Sequence, residues 1–122
     1  SAVASAELRG RVPLALQVLI YPVTDCDFET ASYHAYAAGG LLTRPDMIWF
    51  FDHYAPGETR NDPRVSPLRS ADLAGLPPTL VVTAEYDVLR DDGEAYAARL
   101  ERAGIPVTLR RYDGLPHGFV RL

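Results

Sequence analysis

Along PLALQVLIYP, residues 13–22, nearly every position is apolar, which reads as a strand covered on both faces, the pattern of a parallel sheet. PTLVVTAEYD, residues 78–87, has the same look, and IPVTLRRY at 105–112 alternates as a third strand. Helical periodicity is clearest in RDDGEAYAARLERAG, residues 90–104. Tyr96, Leu100 and Ala103 recur at helical spacing, acids lead, Arg99 and Arg102 follow, and Gly104 stands where a helix stops. TRPDMIWFFDHYA, residues 43–55, is a second helix, with Thr43 to cap it, Pro45 in its first turn and Asp46 at its positive end. From Pro56 to Pro78 the chain is loop-rich and holds five prolines.

Residues 78–112 thus spell strand, helix, strand, a unit that closes with its strands parallel. The carboxyl ends of both strands then share one sheet edge, where open α/β sheets form their ligand sites. Asp87 follows the first strand and His117 the second, in the turn DGLPHGF at 113–119. A carboxylate beside an imidazole has a defined use: it holds one ring nitrogen's proton and stabilises the imidazolium while the other nitrogen moves protons. Three acids compete with Asp87: Asp113 belongs to the turn before His117, Glu85 lies within the strand end, and Asp91 serves the helix dipole.

Composition narrows the setting. Hydrophobic content of 48% and charged content of 23% are globular values, and 122 residues allow one domain or a piece of one. The formal charge of −4, with scattered arginines, argues against nucleic acid. No apolar run reaches the ~20 residues of a membrane span, and the alanine-rich, helix-favouring opening SAVASAELRG lacks the apolar core of a signal peptide. The single Cys26 makes no internal disulfide and has no zinc-site companion, so a reducing, cytoplasmic compartment is the expectation.

Other features take plain readings. Met47, Ile48, Phe51 and Tyr54 follow helical spacing and read as packing rather than pocket, with His53 incidental. The alternating acids of TDCDFE, residues 24–29, read as a turn rather than a metal site. His34 has no assigned task, and Gly39 and Gly40 mark a flexible connector, not a dinucleotide fingerprint.

Residues 66–119, SPLRSADLAGLPPTLVVTAEYDVLRDDGEAYAARLERAGIPVTLRRYDGLPHGF, closely resemble the C-terminal part of the bacterial hormone-sensitive-lipase-like carboxylesterases, members of the α/β-hydrolase superfamily. LQVLIYPVTD at 16–25 is similar to the strand that follows the nucleophile helix in that family. AEYDVLRDDGEAYA, LPP and GLPHGF are the most specific parts. The resemblance implies a mostly parallel sheet with flanking helices and a Ser-Asp-His triad without a cofactor or metal. Carried over by position, Asp87 is the catalytic acid and His117 the general base, with Val88 where the family usually has proline.

The family's nucleophile lies in a G-D-S-A-G elbow and its oxyanion hole in an H-G-G-G loop, and this sequence contains neither. Triads on this fold run serine, acid, histidine, so the serine should precede Asp87. Ser1, Ser5, Ser32, Ser66 and Ser70 all lack glycines two residues away on both sides. The expectation is a partial α/β-hydrolase domain at 1–122, covering the region of strands six to eight, with elbow and oxyanion loop absent. Its partners would be a small ester substrate and either a missing N-terminal half or a second copy. The alternative is a non-catalytic or truncated hydrolase-like domain acting in binding or self-association.

Overall fold

The structure, a computed structural model, describes residues 9–121. The opening stretch expected to be helical, with Ser1 and Ser5, lies outside the described residues. Among them the order is β1 (Gln17–Ile20), α1 (Ala31–Ala35), α2 (Arg44–Tyr54), two short 3-10 turns, β2 (Thr79–Tyr86), α3 (Arg90–Arg102), β3 (Val107–Pro116) and a last 3-10 turn, Phe119–Arg121. The strands form one parallel sheet in the order β1-β2-β3.

β2, rich in β-branched residues, runs through the middle and buries Thr79, Val81, Thr83 and Ala84. α3 packs one face on it: Tyr96 and Leu100 join Leu73, Leu76 and Ile105 in a core on that side of the sheet. A second core holds Tyr33, Met47, Phe51 and Ala55 with Val88 and Leu89 of the β2–α3 loop. Val88, where the resembled family usually has proline, is therefore a fully buried packing residue. α2 begins with a complete capping box in which Thr43 and Asp46 bond each other's backbone.

The structure departs from the sequence reading in three places. β1 is shorter than 13–22, and Leu14, Leu16, Val18 and Ile20 are 40–56% exposed. Only Leu19 packs against the α3 core, so the coverage on both faces implied by the apolar run is not supplied by the described residues. The connector around His34 contains a turn of helix, α1, because Thr30 caps it by accepting the Tyr33 amide proton. β3 continues four residues past Tyr112 and ends at Pro116.

That extension places the site. β2 and β3 pair with an offset of 28 residues as far as Ala84 opposite Tyr112, then with an offset of 30 at Tyr86 opposite Pro116. Two extra β3 residues are absorbed in a bulge at Asp113 and Gly114. Gly114 has a φ of 76°, which L residues rarely adopt, and its amide donates to the Glu85 carboxylate at 2.6 Å. The bulge carries His117 level with Asp87.

Candidate active site

Asp87 leaves the end of β2 with 1% of its surface exposed. Its Oδ1 accepts the Leu89 amide proton at 2.9 Å, closing a tight turn into α3. Its Oδ2 lies 2.8 Å from Nδ1 of His117. A carboxylate can only accept, so Nδ1 carries the proton and the other ring nitrogen, Nε2, is the one able to exchange protons. The His117 amide donates to the Tyr86 carbonyl at 3.4 Å, tying the histidine's backbone to the strand that presents the acid.

Gly118, at φ 85°, makes the turn after the histidine, and a Cβ there would fall 2.8 Å from Leu41 Cδ2. The imidazole rests against Tyr21, the residue after β1, with ring centroids 4.3 Å apart. His117 also lines an open cavity of about 610 Å³ walled by Tyr21, Val23, Phe50, Phe51, Tyr54, Val65 and neighbouring side chains. The walls are chiefly apolar and aromatic, with Arg64 contributing charge.

The competing acids are occupied elsewhere. Asp113 is exposed beside Arg111, Glu85 holds the bulge, and Asp91 accepts the Ser32 amide proton at 2.8 Å. Asp92 is buried under the chain leaving β1, where its Oδ2 accepts the amides of Thr24 and Asp25 at 3.4 and 3.2 Å. Burial pushes its carboxyl up to about 7, against the pull of those two amides and with the nearby Asp25 and Asp27 adding to the rise.

Each described serine gives its hydroxyl to a backbone carbonyl: Ser32 to Val88, Ser66 to Arg60 and Ser70 to Asp72. In TDCDFE, Asp27 caps the Glu29 amide and Asp25 pairs with Arg69, so these acids serve a turn and an ion pair. No cluster of three metal-ligating side chains occurs among the described residues. His34 pairs with Glu29 on the surface, and His53 bonds the Trp49 carbonyl one turn back.

The packing reading of α2 needs correction. Met47 and Phe51 are buried and Ile48 is half-buried, but Tyr54 is 74% exposed and faces the cavity together with Phe50. α2 carries two neighbouring apolar stripes, Met47–Phe51 and Phe50–Tyr54, an arc wider than one core needs. That width was the available signal for a pocket wall. Tyr21 and Val23 gave no comparable signal, since they read as the end of a strand.

The strand–helix–strand unit thus sets the buried Asp87 against the half-buried His117 on the wall of an apolar cleft, in a parallel α/β framework. Residues 1–121 match the family model described as "alpha/beta hydrolase fold", and the chain belongs to that family, in its hormone-sensitive-lipase-like branch. It is 42% identical over 119 residues to the carboxylic ester hydrolase LipN of Mycobacterium tuberculosis, a match covering 96% of this chain and 32% of that protein. It is 43% identical over 109 residues to the ethyl acetate hydrolase of Pseudomonas putida, covering 88% and 34%. Among solved structures, a fungal esterase from Rhizomucor miehei superposes with a TM-score of 0.92 at 50% identity, over 100% of this chain and 39% of that one. A thermostable esterase from Pseudomonas putida superposes with a TM-score of 0.90 at 49% identity, over 96% and 38%. The chain spans about a third of the length of the curated relatives it matches. No helix among the described residues is long and apolar enough to cross a membrane.

Proposed function

We propose that this chain supplies the acid and the general base of a Ser-Asp-His triad in a serine carboxylesterase acting on short or medium acyl esters, with the nucleophile elbow and oxyanion loop in a preceding part of the protein. The observation that carries this reading is the 2.8 Å hydrogen bond between buried Asp87 and the Nδ1 of His117 on the wall of an apolar cleft. The ester-hydrolase names of the relatives, the engaged hydroxyls of Ser32, Ser66 and Ser70, the exposed apolar row of β1 and its outer edge, unpaired among the described residues, support it.

In the proposed reaction the serine Oγ attacks the ester carbonyl as Nε2 of His117 takes its proton. The resulting imidazolium, held by Asp87, gives that proton to the leaving alcohol, and an acyl-enzyme remains. His117 then takes a proton from water as the water attacks the acyl carbon, and returns it to the serine as the acid leaves.

Fluorophosphonate labelling with intact-mass spectrometry of the natural protein tests the reading, because the probe bonds an activated serine. The expected adduct lies on a segment preceding these residues in a longer chain. An adduct on Ser32, Ser66 or Ser70 would place the nucleophile inside this chain. Absence of labelling in the full-length protein would favour a non-catalytic binding domain.

A further inference from the structure

We infer that Tyr21 is a positioning residue for His117: its ring, presented by a strained backbone conformation, packs against the imidazole ring while Asp87 holds its Nδ1. This rests on the proposed triad and adds a residue to it.

Tyr21 has a φ of 35° and is the one non-glycine residue with positive φ among the described residues. In that region an L residue's Cβ crowds its own backbone, so the conformation persists only where surrounding structure imposes it. Here the imposing contacts are visible. The Tyr21 amide donates to the Val82 carbonyl at 2.7 Å, which prolongs the β1–β2 ladder to this residue. Pro22 follows and restricts the backbone before it, and its ring packs where Gly93 leaves room on α3. Glycine would adopt this turn without strain, yet the chain has tyrosine.

What the turn achieves is the placement of the ring. Its centroid is 4.3 Å from that of His117 at an interplanar angle of 52°. Phe119 stands edge-on behind it at 5.9 Å, and Tyr112 lies 5.1 Å from Phe119. His117 is therefore bounded by a carboxylate at Nδ1 and by an aromatic group against its ring. Rotation about the Cβ–Cγ bond would break one contact or the other. The electron-rich ring, centred this close, also favours the imidazolium formed during the proposed reaction over the neutral ring before it. Stabilisation of that kind raises kcat rather than substrate affinity.

The test uses the full-length esterase carrying this chain, with variants Tyr21→Phe, Tyr21→Leu, Tyr21→Gly and His117→Ala assayed on one short acyl ester. Tyr21→Leu keeps apolar bulk without an aromatic face and should lower kcat about tenfold while KM stays within about twofold. Tyr21→Phe should restore kcat to within about threefold. Tyr21→Gly relieves the backbone strain, so it should fold as well as the parent and still lose kcat as Tyr21→Leu does. Unchanged kcat in Tyr21→Leu would overturn the inference. So would a loss in Tyr21→Phe equal to that in Tyr21→Leu, or a change confined to KM. His117→Ala separates the two claims: if it remains active, the triad reading itself fails, whatever Tyr21 does.

Discussion

Gly93 and Thr83 lie so close that a Cβ built on Gly93 would stand 2.8 Å from Thr83 Cγ2 and 3.3 Å from Pro22 Cδ. α3 is thereby seated directly on β2 and on the turn that carries Tyr21, and the loop between β2 and α3 presents Asp87. Gly93→Ala should gain about 1 kcal/mol of helix propensity and lose about 1–3 kcal/mol to overpacking, for a net loss. The urea midpoint of the full-length protein measures the balance. A more stable variant would mean that α3 is not seated this closely.

Asp92 makes stability depend on pH. Burial raises its carboxyl from the ordinary 3.8 to about 7 in the folded protein. Between those values the folded state holds a proton that the unfolded state has lost. Its contribution therefore weakens as pH rises from about 4 to about 7, by at most about 1.4 kcal/mol per pH unit, and is level above that window. Asp92→Asn mimics the protonated form, so its stability relative to the parent should improve from pH 5 to pH 8. Denaturant unfolding at those two pH values checks this. A constant difference between variant and parent would show that Asp92 does not titrate in the window.

Asp87→Asn leaves the shape of the buried side chain and replaces a pure acceptor by a group that can donate toward Nδ1. The wrong imidazole tautomer would then be favoured, and kcat should fall by about 10⁴ with little change in KM or in far-ultraviolet circular dichroism. A loss of less than about tenfold would remove Asp87 from the acid's role.

Phe50 and Tyr54 form one wall of the cavity beside His117. If the acyl chain or alcohol of the substrate runs along α2, Phe50→Trp should narrow the space. The ratio of kcat/KM for hexanoyl to acetyl esters should then fall about tenfold. An unchanged ratio would show that neither ester's variable part reaches this wall.

How much of this was legible beforehand differs by element. α3 was readable almost to the residue, because its apolar spacing, charge gradient and Gly104 all report helix-local physics. The parallel strand–helix–strand unit followed from it, and so did the shared rim bearing Asp87 and His117. β1 was overextended because uniform apolarity reports which faces are covered when the whole sheet is assembled, not how many residues pair with β2. α1 was missed because five residues of helix rest on a single Thr30 cap and on burial of Tyr33, which no periodicity announces.

By itself the sequence determined the class of element at most positions and the identity of the two groups at the rim, since propensity, caps and periodicity are local properties of the chain. Tertiary structure alone decided three matters. The bulge at Asp113 and Gly114 brought His117 level with Asp87, which depends on how β3 registers on β2. The outward position of Phe50 and Tyr54 made a cavity wall of one apolar stripe of α2 while the other, Met47 and Phe51, packs in the core. The positive φ of Tyr21 laid its ring on the histidine. Each arises from contacts between segments far apart in the chain, and side-chain identities constrain such contacts without specifying their geometry.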